Sequence, residues 1–134
     1  MTHLLDTNAW VAYLRAKNPS LTARIEAAGQ NDLCLCSVVR FELFYGAFLS
    51  GRISENLTRL NKLFTRFPGH DLDEMTAREA ARLRTFLESK GTPIGPYDLL
   101  IAATALAADL TLVTRNIREF GRVPNLRIEN WESP

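Results

Sequence analysis

Three acidic residues stand where carboxylates can do chemistry. Asp6 ends a short stretch, residues 2–5, that reads as a buried strand, and it opens Asp6-Thr7-Asn8. Glu42 lies among Phe41, Leu43 and Phe44 in the first half of an apolar helix. A carboxylate in that company is partly buried, and a buried charge needs a partner or a metal. Asp98 falls in the first turn of another helix, after a loop stiffened by Pro93 and Pro96. Three acids without an excess of His or Cys suit a hard, oxygen-preferring ion, Mg²⁺ or Mn²⁺ as its substitute. One or two such ions activate water for attack on phosphorus and stabilise the leaving oxygen, with no covalent nucleophile. No Ser-His-Asp arrangement is visible, and the chain has only two histidines, His3 and His70, which leaves little for histidine acid–base chemistry.

Each acid also has a purely structural reading. Asp6 can serve only as an N-cap. Asp98 can be a first-turn acid set against the helix dipole. Glu42 can pair with Arg40. These readings demand no relation among the three, whereas a metal site demands all of them on one edge of a sheet.

The surrounding pattern supplies such a sheet. Asp6-Thr7-Asn8 offers three N-caps for a helix over residues 9–16, and Pro19-Ser20 opens a second that Gly29 closes. Residues 33–38 read as a buried strand. Ser37 caps a third helix running to about Ser50, and Ser54 starts a fourth, with Leu57, Leu60, Phe64 and Phe67 on one face and Arg59, Lys62 and Arg66 on a solvated one. A short strand is expected at 70–72, a long helix over 73–90, a turn-rich loop over 91–96, a helix over 97–108, a strand over 111–114, a helical turn over 116–120 and a last strand over 126–131. Strands alternating with helices predict an α/β fold: a single domain over 1–134, with a central, mostly parallel sheet and helices on both faces. In such sheets ligands collect beyond the carboxyl ends of the strands. Asp6 and Asn116, which follows the 111–114 strand, both lie there.

Bulk properties narrow the classes. The chain has 134 residues, 46% apolar and 23% charged, as ordinary soluble domains do. The first residues carry no basic region followed by a long apolar run, and the apolar stretch 99–108 is about half of a membrane crossing. A cytoplasmic protein with no membrane partner is expected. A net charge of +1 does not announce nucleic-acid binding, so any such binding must come from local patterning. Cys34 and Cys36 are expected as core residues on one strand face, with too few further ligands for zinc.

The ordered set of motifs resembles the PIN-domain ribonucleases of the VapC toxin family, over essentially the whole chain. The match runs through Leu5-Asp6-Thr7-Asn8, Ser37-Val38-Val39 leading to Glu42-Leu43 and Tyr45-Gly46-Ala47, Gly95-Pro96-Tyr97-Asp98 with Ile101-Ala102, and Leu112-Val113-Thr114-Arg115-Asn116. It continues through Arg118-Glu119-Phe120, Arg122-Val123, Leu126 and Glu129-Asn130-Trp131. The resemblance implies a metal-dependent endoribonuclease that hydrolyses phosphodiester bonds and inhibits translation, with Mg²⁺ held by Asp6, Glu42 and Asp98. Many PIN domains carry an Asp at a fourth position, where this chain has Asn116; Glu119, three residues on, can face the same way and supply the missing carboxylate. The Gly-Pro-Tyr-Asp and Arg-Glu-Phe…Glu-Asn-Trp segments resemble members that cut initiator tRNA. The resemblance further implies a homodimer and a VapB-like antitoxin that lies across the active-site groove and offers an arginine to the acids.

RNA must reach an acidic centre, so basic residues should flank it. Arg115, Arg118 and Arg122 are the phosphate contacts expected, or else a solvated surface pairing Glu119. Thr7 and Thr114 either orient a water or carboxylate, or act as cap and strand hydroxyls. Tyr97 either stacks on a base or packs in the core. Trp10 is a core or dimer-interface residue. Two other classes compete: a receiver-type phosphoacceptor domain, which wants an acidic pair after the first strand and a late lysine that is absent here, and a non-catalytic RNA-binding module.

Overall fold

The computed structural model describes residues 1–29 and 31–134. The chain runs β1 (His3–Leu5), α1 (Thr7–Leu14), α2 (Pro19–Ala27), β2 (Leu33–Cys36), α3 (Ser37–Leu49), α4 (Ile53–Arg66), β3 (Gly69–His70), α5 (Glu74–Ser89), α6 (Pro96–Ala107), β4 (Thr111–Val113), α7 (Ile117–Phe120) and β5 (Ile128–Glu129). The five strands form one sheet in the order β3-β2-β1-β4-β5, and every pairing is parallel. All four residues of β2 are buried, so both sheet faces are covered there, as parallel sheets require. The expected α/β architecture is the one observed.

The strand order fixes where a ligand belongs. From β1 the chain builds outward through β2 and β3, then crosses back to add β4 and β5 on the other side. The order therefore reverses between β1 and β4, where carboxyl ends of adjacent strands leave a crevice. Leu5 pairs with Val113 at the ends of these two strands, and the Asp6 amide donates to the Val113 carbonyl at 3.1 Å. Asp6 and Thr114 thus emerge side by side.

Several boundaries differ from the sequence expectation. The first helix starts at Thr7, because Asp6 alone caps it, accepting from the Ala9 amide at 2.9 Å. The second ends at Ala27, before Gly29, whose amide bonds the Asp32 side chain instead. Ser37 is the first residue of α3 and not its cap; its hydroxyl accepts from the Leu72 amide at 3.2 Å. The fourth helix begins at Ile53, without a side-chain cap. The third strand is Gly69–His70, because Asp71 and Leu72 turn toward the Asp73 cap of α5. The last strand shortens to Ile128–Glu129, matching its short partner β4. Phe67 lies just past α4, buried, its ring 5.0 Å from that of Trp10. Trp10 itself is fully buried in the core. The face carrying Arg59, Lys62 and Arg66 is not simply solvated: Arg66 pairs with Glu26 at 2.9 Å, and Arg59 donates to the Leu14 carbonyl, tying α4 to α2 and α1. Cys34 and Cys36 are free and buried, and burial pushes the Cys34 thiol up to about 12. No helix of the described residues is long and apolar enough to cross a membrane.

Candidate metal centre

Asp6, Glu42 and Glu119 are each held by a neighbour from a distant segment. Asp6 is 5% exposed. One of its oxygens caps α1 and the other accepts the Thr114 hydroxyl at 2.6 Å. Capping and site membership are therefore the same placement. Burial raises the Asp6 carboxyl above the usual range against the pull of these two hydrogen bonds, with Glu132 adding to the rise and Arg115 opposing it. Glu42, half-buried on α3, accepts the Thr7 hydroxyl at 2.6 Å. It does not pair with Arg40, whose guanidinium lies 4.7 Å over the Phe64 ring with its Nε buried and unbonded among the described residues.

The fourth position resolves into two parts. The Asn116 amide nitrogen of the backbone donates to the Thr114 hydroxyl at 2.9 Å. Its side chain is spent on Glu119: Oδ1 caps α7 by accepting from the Glu119 amide at 3.4 Å, and Nδ2 donates to Glu119 Oε2 at 3.2 Å. The other Glu119 oxygen accepts from the Gly95 amide, 2.8 Å away, at the entry to α6. The Asn116 side chain thus orients Glu119, and Glu119 is the carboxylate that faces Asp98. Among the described residues, none of Arg115, Arg118 and Arg122 pairs with Glu119; Arg122, exposed, donates through one nitrogen to the Pro93 carbonyl at 2.9 Å and braces the loop before α6. Tyr97 is neither core nor free, being 47% exposed with its ring 5.4 Å from Phe41.

Asp98 is where these segments meet. Its carboxyl is pushed up to about 6, first by burial and then by Glu119, Asp6 and Glu42 around it. None of these four carboxylates is in an ion pair with Lys, Arg or His among the described residues. Converging acids without a cation are electrostatically incomplete. No three Asp, Glu, His or Cys side chains among the described residues are closed into a ready cage. The donor set still fits a small hard cation, which is commonly held by one or two carboxylates and completed by waters and phosphate oxygens.

Thr114 is the common member of this network, serving Asp6 and Asn116 at once, and it is 1% exposed. Thr114→Val keeps the shape and removes both bonds. A buried acceptor left without its donor costs about 1–3 kcal/mol. We expect the urea midpoint to fall accordingly at unchanged m-value, and Thr114→Ser to restore most of it.

The sequence did not reveal Glu132, which acts on Asp6 from the far end of the chain. It arrives because the tail is docked by buried Trp131 and by the Asn18 side chain, which donates to the Glu132 carbonyl at 3.1 Å. No local pattern announces such a contact.

The PIN domain family profile matches residues 3–126. The tRNA(fMet)-specific endonuclease VapC of Salmonella typhimurium is 36% identical over 128 residues, covering 96% of each chain. Ribonuclease VapC2 of Rickettsia felis is 38% identical over 133 residues, covering 98% of this chain and 99% of that one. Among solved structures, VapBC2 from Rickettsia felis bound to a DNA fragment from its promoter superposes with a TM-score of 0.90 at 38% identity, over 98% of this chain and 99% of that one. DNA-bound VapBC from Salmonella typhimurium gives 0.92 at 35% identity, over 98% of each.

Proposed function

The chain belongs to the PIN-domain family and, within it, to the VapC proteins, and on that premise we propose that it is a Mg²⁺-dependent endoribonuclease toxin that hydrolyses tRNA in the cytoplasm and so inhibits translation. The observation that carries the reading is the gathering of Asp98, Glu119, Asp6 and Glu42 from four separate segments beside the β1–β4 crevice, with no ion pair to any of them among the described residues. Both named relatives are ribonucleases by name, one of them specific for tRNA(fMet).

Asp6, Glu42, Asp98 and Glu119 would hold the metal. When bound, Mg²⁺ supplies an activated water at neutral pH and charge neutralisation for the phosphate being cut. The remaining work falls to the chain. Thr114 and the Ala9 amide aim Asp6, Thr7 aims Glu42, and Asn116 with the Gly95 amide aims Glu119. Fixing the carboxylates before substrate arrives removes reorganisation from the reaction itself.

The same reading includes a VapB-like antitoxin and a homodimer. Both solved structures above are VapBC assemblies by name. A groove of about 210 Å³ between α1, α3 and α4 opens onto Glu42 and is floored by Val11, Leu14, Leu43, Ala47 and Leu60, which suits an amphipathic segment laid into it. Along α3, Phe41, Tyr45, Phe48 and Leu49 stand 49–68% exposed on one side, an apolar face of the kind that marks protein contacts.

The test is incubation of purified protein with an initiator-tRNA transcript, with Mg²⁺ or with EDTA, followed by mapping of the cut ends. Cleavage with Mg²⁺ leaving 5′-phosphate and 3′-hydroxyl ends, and none in EDTA, is expected. Undiminished cleavage in EDTA would overturn the mechanism.

A further inference from the structure

On the face of α1 that passes beside the acids lies a second depression, of about 300 Å³, with a different character from the apolar groove. It is walled by Asn8, Val11, Ala12, Arg15, Lys17 and Asn18 from α1 and the turn after it, and by Arg115 and Glu132 from the far side. Asn8 sits two residues beyond Asp6 and Arg15 one residue past the last turn of α1, so the depression runs about 10 Å along the helix at 1.5 Å per residue from a point near Asp6 in the chain. Arg115 directly follows Thr114, whose hydroxyl donates to Asp6, so this wall of the depression stands next to the acidic centre.

The cations of this depression have no internal work. Arg15, Lys17 and Arg115 are exposed, and among the described residues none makes an ion pair or a side-chain hydrogen bond. Elsewhere, by contrast, Arg24, Arg66, Arg82, Arg84 and Arg127 are paired with carboxylates. The turn bearing the first two is held in an unusual way. Ala16, between them, has φ 52°, the left-handed region that favours glycine. Such strain in a non-glycine residue persists where the surroundings over-determine it, and here it sets Arg15 and Lys17 on the same wall.

We propose that this α1 groove, through Lys17 and Arg115 with Asn8 and Arg15, seats the phosphodiester backbone of the RNA on one side of the bond that is cut, and that the Glu132 carboxylate competes with the RNA phosphates there. The inference rests on the ribonuclease reading above. Three unpaired cations along one wall beside the candidate carboxylate cluster suit a polyanion better than a protein segment, which the neighbouring apolar groove suits. Glu132 opposes them, so bound phosphate must displace its influence, and the groove holds RNA weakly enough to release it.

The experiment measures binding of a labelled initiator-tRNA transcript to the full-length Asp98→Asn protein across a salt series. Lys17→Ala and Arg115→Ala are each expected to weaken binding about three- to tenfold. Each is also expected to reduce the slope of log affinity against log salt by about 0.7, the value for one single-stranded phosphate contact. Glu132→Gln is expected to tighten binding about threefold. Lys62→Ala, an exposed cation on α4, controls for loss of one charge anywhere. Arg15 also borders the apolar groove and is left unchanged for that reason. Equal affinities and slopes for Lys17→Ala, Arg115→Ala and Lys62→Ala would overturn the groove assignment. Wild-type cleavage of the same transcript is followed in parallel: its absence sinks the ribonuclease reading, while cleavage with unaffected groove variants sinks only the groove.

Discussion

Asp98→Asn should lower the rate of Mg²⁺-dependent RNA cleavage by about 10³-fold or more, a loss of about 4 kcal/mol in transition-state stabilisation, while making the metal-free protein more stable at neutral pH. The two halves have one cause. Asp98 is forced to carry its charge beside Glu119, Asp6 and Glu42 in a half-buried position. The neutral amide has nearly the same shape and none of the repulsion, so the free protein gains. The same change removes a negative oxygen from the proposed metal ligands, so the loaded protein loses. A defect caused by misfolding would move both quantities downward. The check is a urea or thermal melt in EDTA beside a cleavage assay in Mg²⁺. A variant that is destabilised without metal, or that cleaves at the wild-type rate, would contradict the assignment. Asp6→Asn and Glu42→Gln are expected to lose cleavage similarly. Asp6→Asn also weakens the cap of α1, so Asp98→Asn gives the cleaner reading.

The second large effect is on pH. The Asp98 carboxyl stands at about 6 in the folded chain against 3.8 as its ordinary value. The folded state therefore holds this proton more tightly than the unfolded one. Its contribution to stability is fully present below pH 3.8 and is lost as pH rises through about 6. Two units correspond to about 3 kcal/mol as an upper bound, reduced by solvent screening because the group is only half-buried. Metal-free protein should thus become more stable on going from pH 7.5 to 5, opposite to the usual trend for carboxylates held by partners. Glu26, Glu79 and Glu129 follow that usual trend, held below the ordinary range by Arg66 and Tyr13, by Arg82, and by Trp131 and His3; they turn the curve down again at lower pH. Metal reverses the sign, because a ligating carboxylate must be ionised. At subsaturating Mg²⁺, cleavage should fall about tenfold per unit below pH 6, and the melting shift produced by Mg²⁺ should be larger at pH 7.5 than at 5. A flat metal-free stability between pH 7.5 and 5.5 would remove the basis for this coupling.

Much of the site could be read before any coordinates. Asp6, Asp98 and Asn116 announced themselves by position, at strand ends and in a first helical turn, because parallel sheets gather ligands there. Glu42 was legible from its apolar neighbours. What the sequence left open was whose job is whose around residue 116. Asn116 and Glu119 are both polar, three apart and at the start of a short helix, and only the hydrogen-bond directions separate positioning residue from carboxylate. Long elements were read to within a residue or two: the helix expected over 73–90 is Glu74–Ser89, and that expected over 97–108 is Pro96–Ala107. The short strands were overextended, since two paired residues in β3 and in β5 leave no periodicity to count. Glu132 stayed hidden because its relation to Asp6 is created by tail docking, and Arg15 and Lys17 because their shared wall depends on a left-handed residue at Ala16; neither has a local signature.

The central place of β1 has one more consequence, and it concerns time. This strand is made first, yet one of its two neighbours, β4, is made almost last. Asp6 gains its Thr114 partner only after more than a hundred residues have followed it from the ribosome, and Glu119 emerges later still. A chain still being synthesised can form β1, β2 and the first helices, but it carries one wall of the crevice without the other. The proposed centre is therefore complete only once Thr114 and Glu119 have both emerged, so a chain interrupted earlier would lack one wall of it.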